Sequence, residues 1–364
     1  MIPELTLVSS DASPLPGFLD QSAESLHAWL AERKEPPMRV KQIRRWIVAR
    51  RATSFDVMTD LPAKLRPELA AHFAPLTMRV DKHLIASDLT NKLLLRLHDG
   101  HRIECVLIQD ENRKTACIST QVGCAMGCVF CASGLNGLER NLTSGEILEQ
   151  LVRMRNLLPE DGRLSHIVVM GMGEPMANLD NLLEALRLAG DKDGLNIGAR
   201  HITISTVGLP AKMRALADHG KQYHLAVSLH APNDAMRSKI VPTNEKIGMT
   251  AILDAADYFQ VKTGRQVTYE YVVLGGINDG QREARELSQL LRGRQAHVNL
   301  IPFNEVDGLP WKRPQTDDLK AFIETIEQSG ISVKVRKRKG SDIDAACGQL
   351  RRQADAISSP ALSS

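Results

Sequence analysis

The sequence predicts an α/β fold: a partial (β/α)6 barrel with a small N-terminal helical domain. Three observations point there. Short apolar runs alternate with amphipathic helical stretches from residue 116 to residue 336, the pattern of βαβ units on a parallel sheet. Six such units are too few to close an eight-stranded barrel, so the sheet is expected to stay open beside a large substrate. Residues 23–75, by contrast, are helical in periodicity throughout.

Taken in order, residues 1–22 carry Ser9, Ser10, Pro14 and Pro16 and read as a flexible lead-in. Within the helical domain of residues 23–75, Val40, Ile43, Trp46 and Ile47 share one helical face. Arg39, Lys41, Arg44, Arg45, Arg50 and Arg51 occupy the rest, either as an ordinary solvated face or as a phosphate-contacting surface. Residues 76–109 form a hairpin linker, with strands on either side of the Asp99-Gly100 turn. Glu104 lies on the second of these strands, where a glutamate facing water is the default expectation.

The core spans 110–342, and a C-terminal loop and tail occupy 343–364. Strands are expected at 116–120, 166–170, 201–205, 224–228, 267–273, 297–301 and 332–336. Helices are expected at 144–156, 179–189, 211–218, 249–260, 281–292 and 316–328. Polar segments follow strand ends, where parallel barrels place their catalytic groups. They are a cysteine loop after the first strand, Gly171-Met172-Gly173-Glu174-Pro175, Ser205-Thr206-Val207-Gly208, Ser228-Leu229-His230 and Ile301-Pro302-Phe303-Asn304. Any one of them alone is an ordinary turn or cap; their shared rim is the signal.

Composition narrows the class. No run of about eighteen apolar residues indicates a membrane span, and the N-terminus lacks the pattern of a signal peptide. Six cysteines in 364 residues suit a reducing compartment, so a cytoplasmic location is expected. A net charge of +3 does not by itself indicate nucleic acid.

Cys124, Cys128 and Cys131 are spaced CxxxCxxC. Four thiolates fill a [4Fe–4S] cluster, so three leave one iron open to a small molecule. That is the signature of radical enzymes in which S-adenosylmethionine (SAM) chelates the open iron. A structural zinc site is the alternative, but it would want a fourth ligand. The glycines of Gly171–Pro175 suit close backbone approach to SAM at Gly173, and Glu174 can pair with its α-ammonium. Ser205, Ser228 and Asn304 are candidates for its carboxylate and ribose. Cys117 precedes the cluster loop and Cys347 sits in a small-residue loop near the C-terminus; each alone reads first as a small buried residue, and Cys105 is expected to be just that.

With these segments, Asp342 to Leu350 resembles the RlmN/Cfr family of radical SAM methyltransferases, which modify one adenosine of 23S rRNA. The likeness runs from Arg39 to Leu350, and the Gly-Glu-Pro form is more similar to the C2-methylating RlmN branch, which also acts on adenosine-37 of tRNAs. The resemblance implies a radical SAM barrel and a [4Fe–4S] cluster on Cys124, Cys128 and Cys131. It also implies two SAM per turnover, bound by Gly173, Glu174, Ser205, Ser228, Leu229, His230 and Asn304. Cys347 would carry the methyl as S-methylcysteine, a 5′-deoxyadenosyl radical would activate it, and Glu104 would accept the C2 proton. Cys117 would release the product through a transient disulfide with Cys347. Expected partners are 23S rRNA, tRNA and an electron donor such as flavodoxin, with a monomeric enzyme and no membrane. Lys334-Val335-Arg336-Lys337-Arg338-Lys339 is a second candidate for phosphate contact, against a charged strand edge. C8 methylation in the manner of Cfr, a radical SAM maturase acting on a protein and a zinc-bound RNA-binding protein are the alternatives.

Overall fold

The computed structural model describes residues 15–306 and 308–350. Three helices open the chain: α1 (Ala23–Glu32), α2 (Met38–Val48) and α3 (Leu65–His72). Ser22 caps α1 by accepting the Ser25 N–H. Leu26, Leu30, Val40, Ile43, Ile47, Leu65 and Leu69 are buried, so the apolar faces of the three helices meet. Phe18 and Leu19 are buried with them, and Gly17 is bridged to Ala74. The lead-in expected to stay flexible as far as residue 22 is thus packed from residue 17; residues 1–14 lie outside the described residues, as do 351–364 of the tail.

Next come β1 (Arg79–Ile85), β2 (Asn91–Arg96), β3 (Arg102–Asp110) and β4 (Arg113–Cys117), then a small ribbon of β5 (Gln121–Gly123) and β6 (Leu138–Asn141). The core continues through α4 (Ser144–Asn156), β7 (His166–Val169), α5 (Leu179–Gly190), β8 (Ile202–Thr206), α6 (Pro210–Asp218) and β9 (His224–Ser228). After α7 (Asp234–Ile240), α8 (Asn244–Ile247) and α9 (Met249–Thr263) come β10 (Val267–Val273), α10 (Gln281–Leu290), β11 (Ala296–Pro302), α11 (Thr316–Gln328) and β12 (Ser332–Val335).

One ten-stranded sheet runs β1-β2-β3-β4-β7-β8-β9-β10-β11-β12. From β4 to β12 every neighbouring pair is parallel, as βαβ connections require. The sheet is open, with β1 and β12 at its edges. Residues 76–109 are more than a linker: β1 to β3 extend the barrel sheet antiparallel, with Leu107 opposite Ala116. That pairing also starts the first core strand at Arg113, ahead of the expected Ala116. A capping box starts α4, in which Thr143 accepts from Glu146 N–H and the Glu146 carboxylate accepts from Thr143 N–H.

A large apolar core lies between sheet and helices. A smaller cluster, including Phe130, Ile240, Val241, Val272 and Phe303, packs at the rim around the cysteine loop. Among the described residues no helix is long and apolar enough to cross a membrane.

Candidate active site

The strand ends of β7, β8, β9 and β11 surround an open cavity of about 930 Å³. Its wall carries Cys124, Cys128, Cys131, Gly173, Glu174, Ser205, Ser228, His230, Asn304 and Cys347. Two of the residues expected here are not on that wall. Leu229 is buried in the apolar core, because strand alternation turns it away from its neighbours, and its N–H donates to Glu270 O at 3.0 Å. Glu104, expected to face water, is buried on β3 and does not line this cavity.

Local chemistry shapes the rim. Gly173 has φ +102°, and a Cβ there would run into Gln121. The Glu174 carboxylate accepts from Met176 N–H at 3.0 Å, Thr206 Oγ1 at 2.6 Å and Val207 N–H at 2.9 Å. A carboxylate has about four lone-pair sites, so roughly one remains for a ligand ammonium. Burial raises the pKa of Glu174, and these hydrogen bonds oppose the rise. Ser205 and Ser228 face each other, their Oγ atoms 3.3 Å apart. Asn304 Nδ2 donates to Cys347 O at 3.1 Å, so the candidate SAM contact also holds the C-terminal loop.

His230 has φ +61° and accepts the Val272 N–H at Nδ1, 3.0 Å. Its proton therefore sits on Nε2, and burial, with Arg237 nearby, pushes its pKa down to about 3. Behind it, buried Arg237 donates to Leu229 O, Ser228 O, Val207 O and Asn244 Oδ1, tying the ends of β8 and β9 together.

The cysteine loop is pinched at its base by β5 and β6. Cys124 N–H donates to Gly137 O at 2.9 Å, and a Cβ at Gly123 (φ +80°) would collide with that same oxygen. Burial pushes the Cys124 thiol up to about 12, and raises Cys128 and Cys131 as well, so as bare thiols they stay neutral. A bound metal centre reverses that preference. Among the described residues no three His, Cys, Asp or Glu side chains are grouped to hold a single ion. An iron–sulfur cluster takes one thiolate per iron and suits three thiols spread along one wall.

A second cavity of about 600 Å³ adjoins the first and is lined by Val106, Ile108, Cys117, Lys337 and Arg338. Cys347, Asn304, Met170, Ile301 and Arg336 line both. Cys347 thus stands between the cluster loop and Cys117. All six cysteines are free, so the Cys117–Cys347 disulfide implied by the resemblance is not formed in this structure. Burial, with Cys347 nearby, pushes the Cys117 thiol up to about 12. The C-terminal loop is fastened beyond Cys347 by Gly348 O on Ala132 N–H at 2.8 Å and by Leu350 O on Ser133 Oγ at 2.6 Å.

Sequence reasoning missed Arg237, Glu270 and Lys92, and met Arg336 only within the basic run 334–339, as a phosphate contact. Arg237 lies inside an unremarked helix. Glu270 is a buried acid in the apolar strand β10, and Arg336 follows directly on the end of β12. A lone charge in an apolar strand, and the rim rule applied to the last strand, would have flagged both. Cys347, then Glu270 and Cys117, raise the pKa of Arg336 against its burial. Lys92 lies buried on β2.

On α2 and just beyond it, the basic residues have partners within the chain. Arg39 pairs with Glu35, Lys41 and Arg45 with Asp193, and Arg50 with Asp60. Arg44 donates to Gln21 O at 3.1 Å, and Arg51 donates to the carbonyls of Leu158, Pro159, Glu160 and Gly162.

Comparison with known proteins covers more than nine-tenths of the chain. Residues 118–287 match the model of the radical SAM superfamily, and residues 17–74 match the ribosomal RNA large subunit methyltransferase N-terminal domain. A probable dual-specificity RNA methyltransferase RlmN of Rhodopirellula baltica is 55% identical over 92% of this chain and 90% of its own length. The protein of the same description from Bacillus subtilis is 42% identical over 92% of this chain and 93% of its own. The crystal structure of a radical SAM methyltransferase from Sphaerobacter thermophilus superposes with a TM-score of 0.89 at 42% identity, covering 93% of this chain and all of that one.

Proposed function

The chain belongs to the RlmN family of radical SAM RNA methyltransferases, and we propose that it methylates C2 of one adenosine in 23S rRNA and of adenosine-37 in tRNA. The observation that carries this reading is Cys347 on the wall shared by two cavities, one holding the cysteine triad and the other Cys117.

Adenine C2 is electron-poor and cannot displace a methyl group from SAM directly, so the methyl must travel on the protein. Cys124, Cys128 and Cys131 would hold the cluster, and Gly173, Glu174, Ser205, Ser228, His230 and Asn304 would surround SAM. When bound, these groups supply a transferable methyl and the one-electron donor and acceptor chemistry that activates it. Cys347 takes the methyl on sulfur and presents it from the C-terminal loop. Once that methyl has lost a hydrogen atom, its carbon bonds to C2. Loss of one electron, and of the C2 proton to Glu104, restores the aromatic ring and leaves a thioether from Cys347 to the base. Cys117 then attacks the Cys347 sulfur. The S–S bond forms as the C–S bond breaks, the departing carbon takes a proton to become the methyl group, and an external dithiol reduces the disulfide.

The target base must leave its stack to reach Cys347. The second cavity, apolar at Val106 and Ile108 and cationic at Lys337 and Arg338, suits a base with its phosphates. Mass mapping of adenosines in rRNA and tRNA from a deletion strain tests the proposal. Loss of 2-methyladenosine from both RNAs is expected; loss of an 8-methyl mark, or of neither, contradicts it.

A further inference from the structure

Glu104 lines neither cavity, yet it is not remote from them. In the register of β2, β3 and β4, Lys92 stands opposite Val106, and Val106 stands opposite Cys117. Residues directly opposite share a face, and so do positions two apart on one strand. Lys92, Glu104, Val106 and Cys117 therefore lie on one face of the sheet, the face that Val106 and Cys117 present to the second cavity.

On this face Lys92 Nζ sits 3.1 Å from Glu104 Oε1, the two side chains being 5% and 3% exposed. The same Nζ donates to Asp344 O at 3.1 Å, three residues before Cys347. One ammonium thus joins the carboxylate to the loop that carries Cys347. A buried ion pair is a poor device for stability, since desolvation of the two charges cancels much of their attraction. It is an effective device for keeping a buried carboxylate ionised, because without the cation burial favours the neutral acid, which cannot take a proton. The loop does not depend on Lys92 alone: Asp342 Oδ2 accepts Ser87 N–H at 2.9 Å, and Asp88 Oδ2 accepts Gly340 N–H at 3.1 Å.

We propose that Lys92 is a positioning residue that links docking of the Cys347 loop to the alignment and ionisation of Glu104. It acts after the base is bonded to the protein: with the loop docked, its ammonium holds Glu104 as a carboxylate facing the site of C2 deprotonation. The inference rests on Glu104 being the proton acceptor.

The test uses holoenzyme carrying methylated Cys347, mixed with substrate RNA for a single turnover. Mass spectrometry follows Cys347 methylation, and denaturing gels follow the covalent protein–RNA adduct. Lys92→Met is expected to keep Cys347 methylation and adduct formation, and to release RNA about a hundredfold more slowly, in the range of a lost general base. Lys92→Arg, which keeps the cation, is expected to recover release to within roughly tenfold of the parent. Release from Lys92→Met at the parent rate overturns the proposal. So does a proportional loss of Cys347 methylation and adduct that arginine does not relieve, the mark of a merely structural lysine. Glu104→Gln separates the two claims: if it accumulates no adduct, Glu104 is not the base and this inference falls with that reading. If it accumulates adduct while Lys92→Met does not, only the role of Lys92 falls.

Discussion

Two basic segments, α2 with its flank and the run from Lys334 to Lys339, look alike in sequence and differ in the folded chain. The first is engaged within the chain, although Lys41, Arg45 and Arg50 remain exposed. Its cations pair with Glu35, Asp60 and Asp193 or donate to the carbonyls of residues 21, 158, 159, 160 and 162, so they join the helical domain to itself and to the barrel. The second follows the end of the last parallel strand, and Arg336, Lys337, Arg338 and Lys339 line the cavity that contains Cys117 and Cys347. Lys337 and Arg338 are exposed, with no ion-pair partner among the described residues. Charge density along a helix did not distinguish these cases; what each cation meets after folding does.

The largest effect that would sharpen this contrast is expected at Arg336. With Cys347, Glu270 and Cys117 as its electrostatic neighbours, Arg336→Ala should lower single-turnover methylation about a hundredfold, as removal of a preorganised charge does. RNA affinity, measured separately by filter binding, should change far less. Next, the double variant Lys337→Ala/Arg338→Ala should weaken RNA binding and reduce the slope of log affinity against log salt by roughly 0.7 per lost phosphate contact. An unchanged slope would remove this run as the phosphate contact.

Arg51→Ala should act on stability instead. It leaves the carbonyls of Leu158 and Gly162 without their donor, at a cost of about 1–3 kcal/mol in denaturant melts, with no change in the salt slope. The smallest effect is expected for Lys41→Ala, an exposed cation paired with Asp193. Its melting curve and RNA salt slope should match the parent, and a slope change equal to that of the 337–338 pair would break the comparison.

Much of the fold was legible for local reasons. The Thr143–Glu146 capping box marks the start of α4, and the apolar run Val267–Val273 forms a strand of that span. The main cavity was legible because the ends of parallel strands share a rim, which brought Glu174, Ser205, Ser228 and Asn304 together. Register was not legible. That Lys92, Val106 and Cys117 share a row depends on the pairing of three antiparallel strands, and that pairing also merged residues 76–109 into the barrel sheet. Leu229 shows the same limit from the other side: its neighbours Ser228 and His230 line the cavity, while alternation sends Leu229 into the core. The partners of α2 escaped notice because Asp193 and the 158–162 loop meet it only after the chain has folded.

Under the proposed function, Cys347 carries the methyl group on the wall between two cavities and Cys117 releases it. Cys117→Ala holoenzyme, incubated with SAM, reductant and substrate RNA, tests this most directly when the products are digested and mapped by mass spectrometry. The expected product is an adenine joined through one methylene carbon to the sulfur of Cys347, with no free methylated RNA. Normal release of methylated RNA, with no adduct at Cys347, would contradict it.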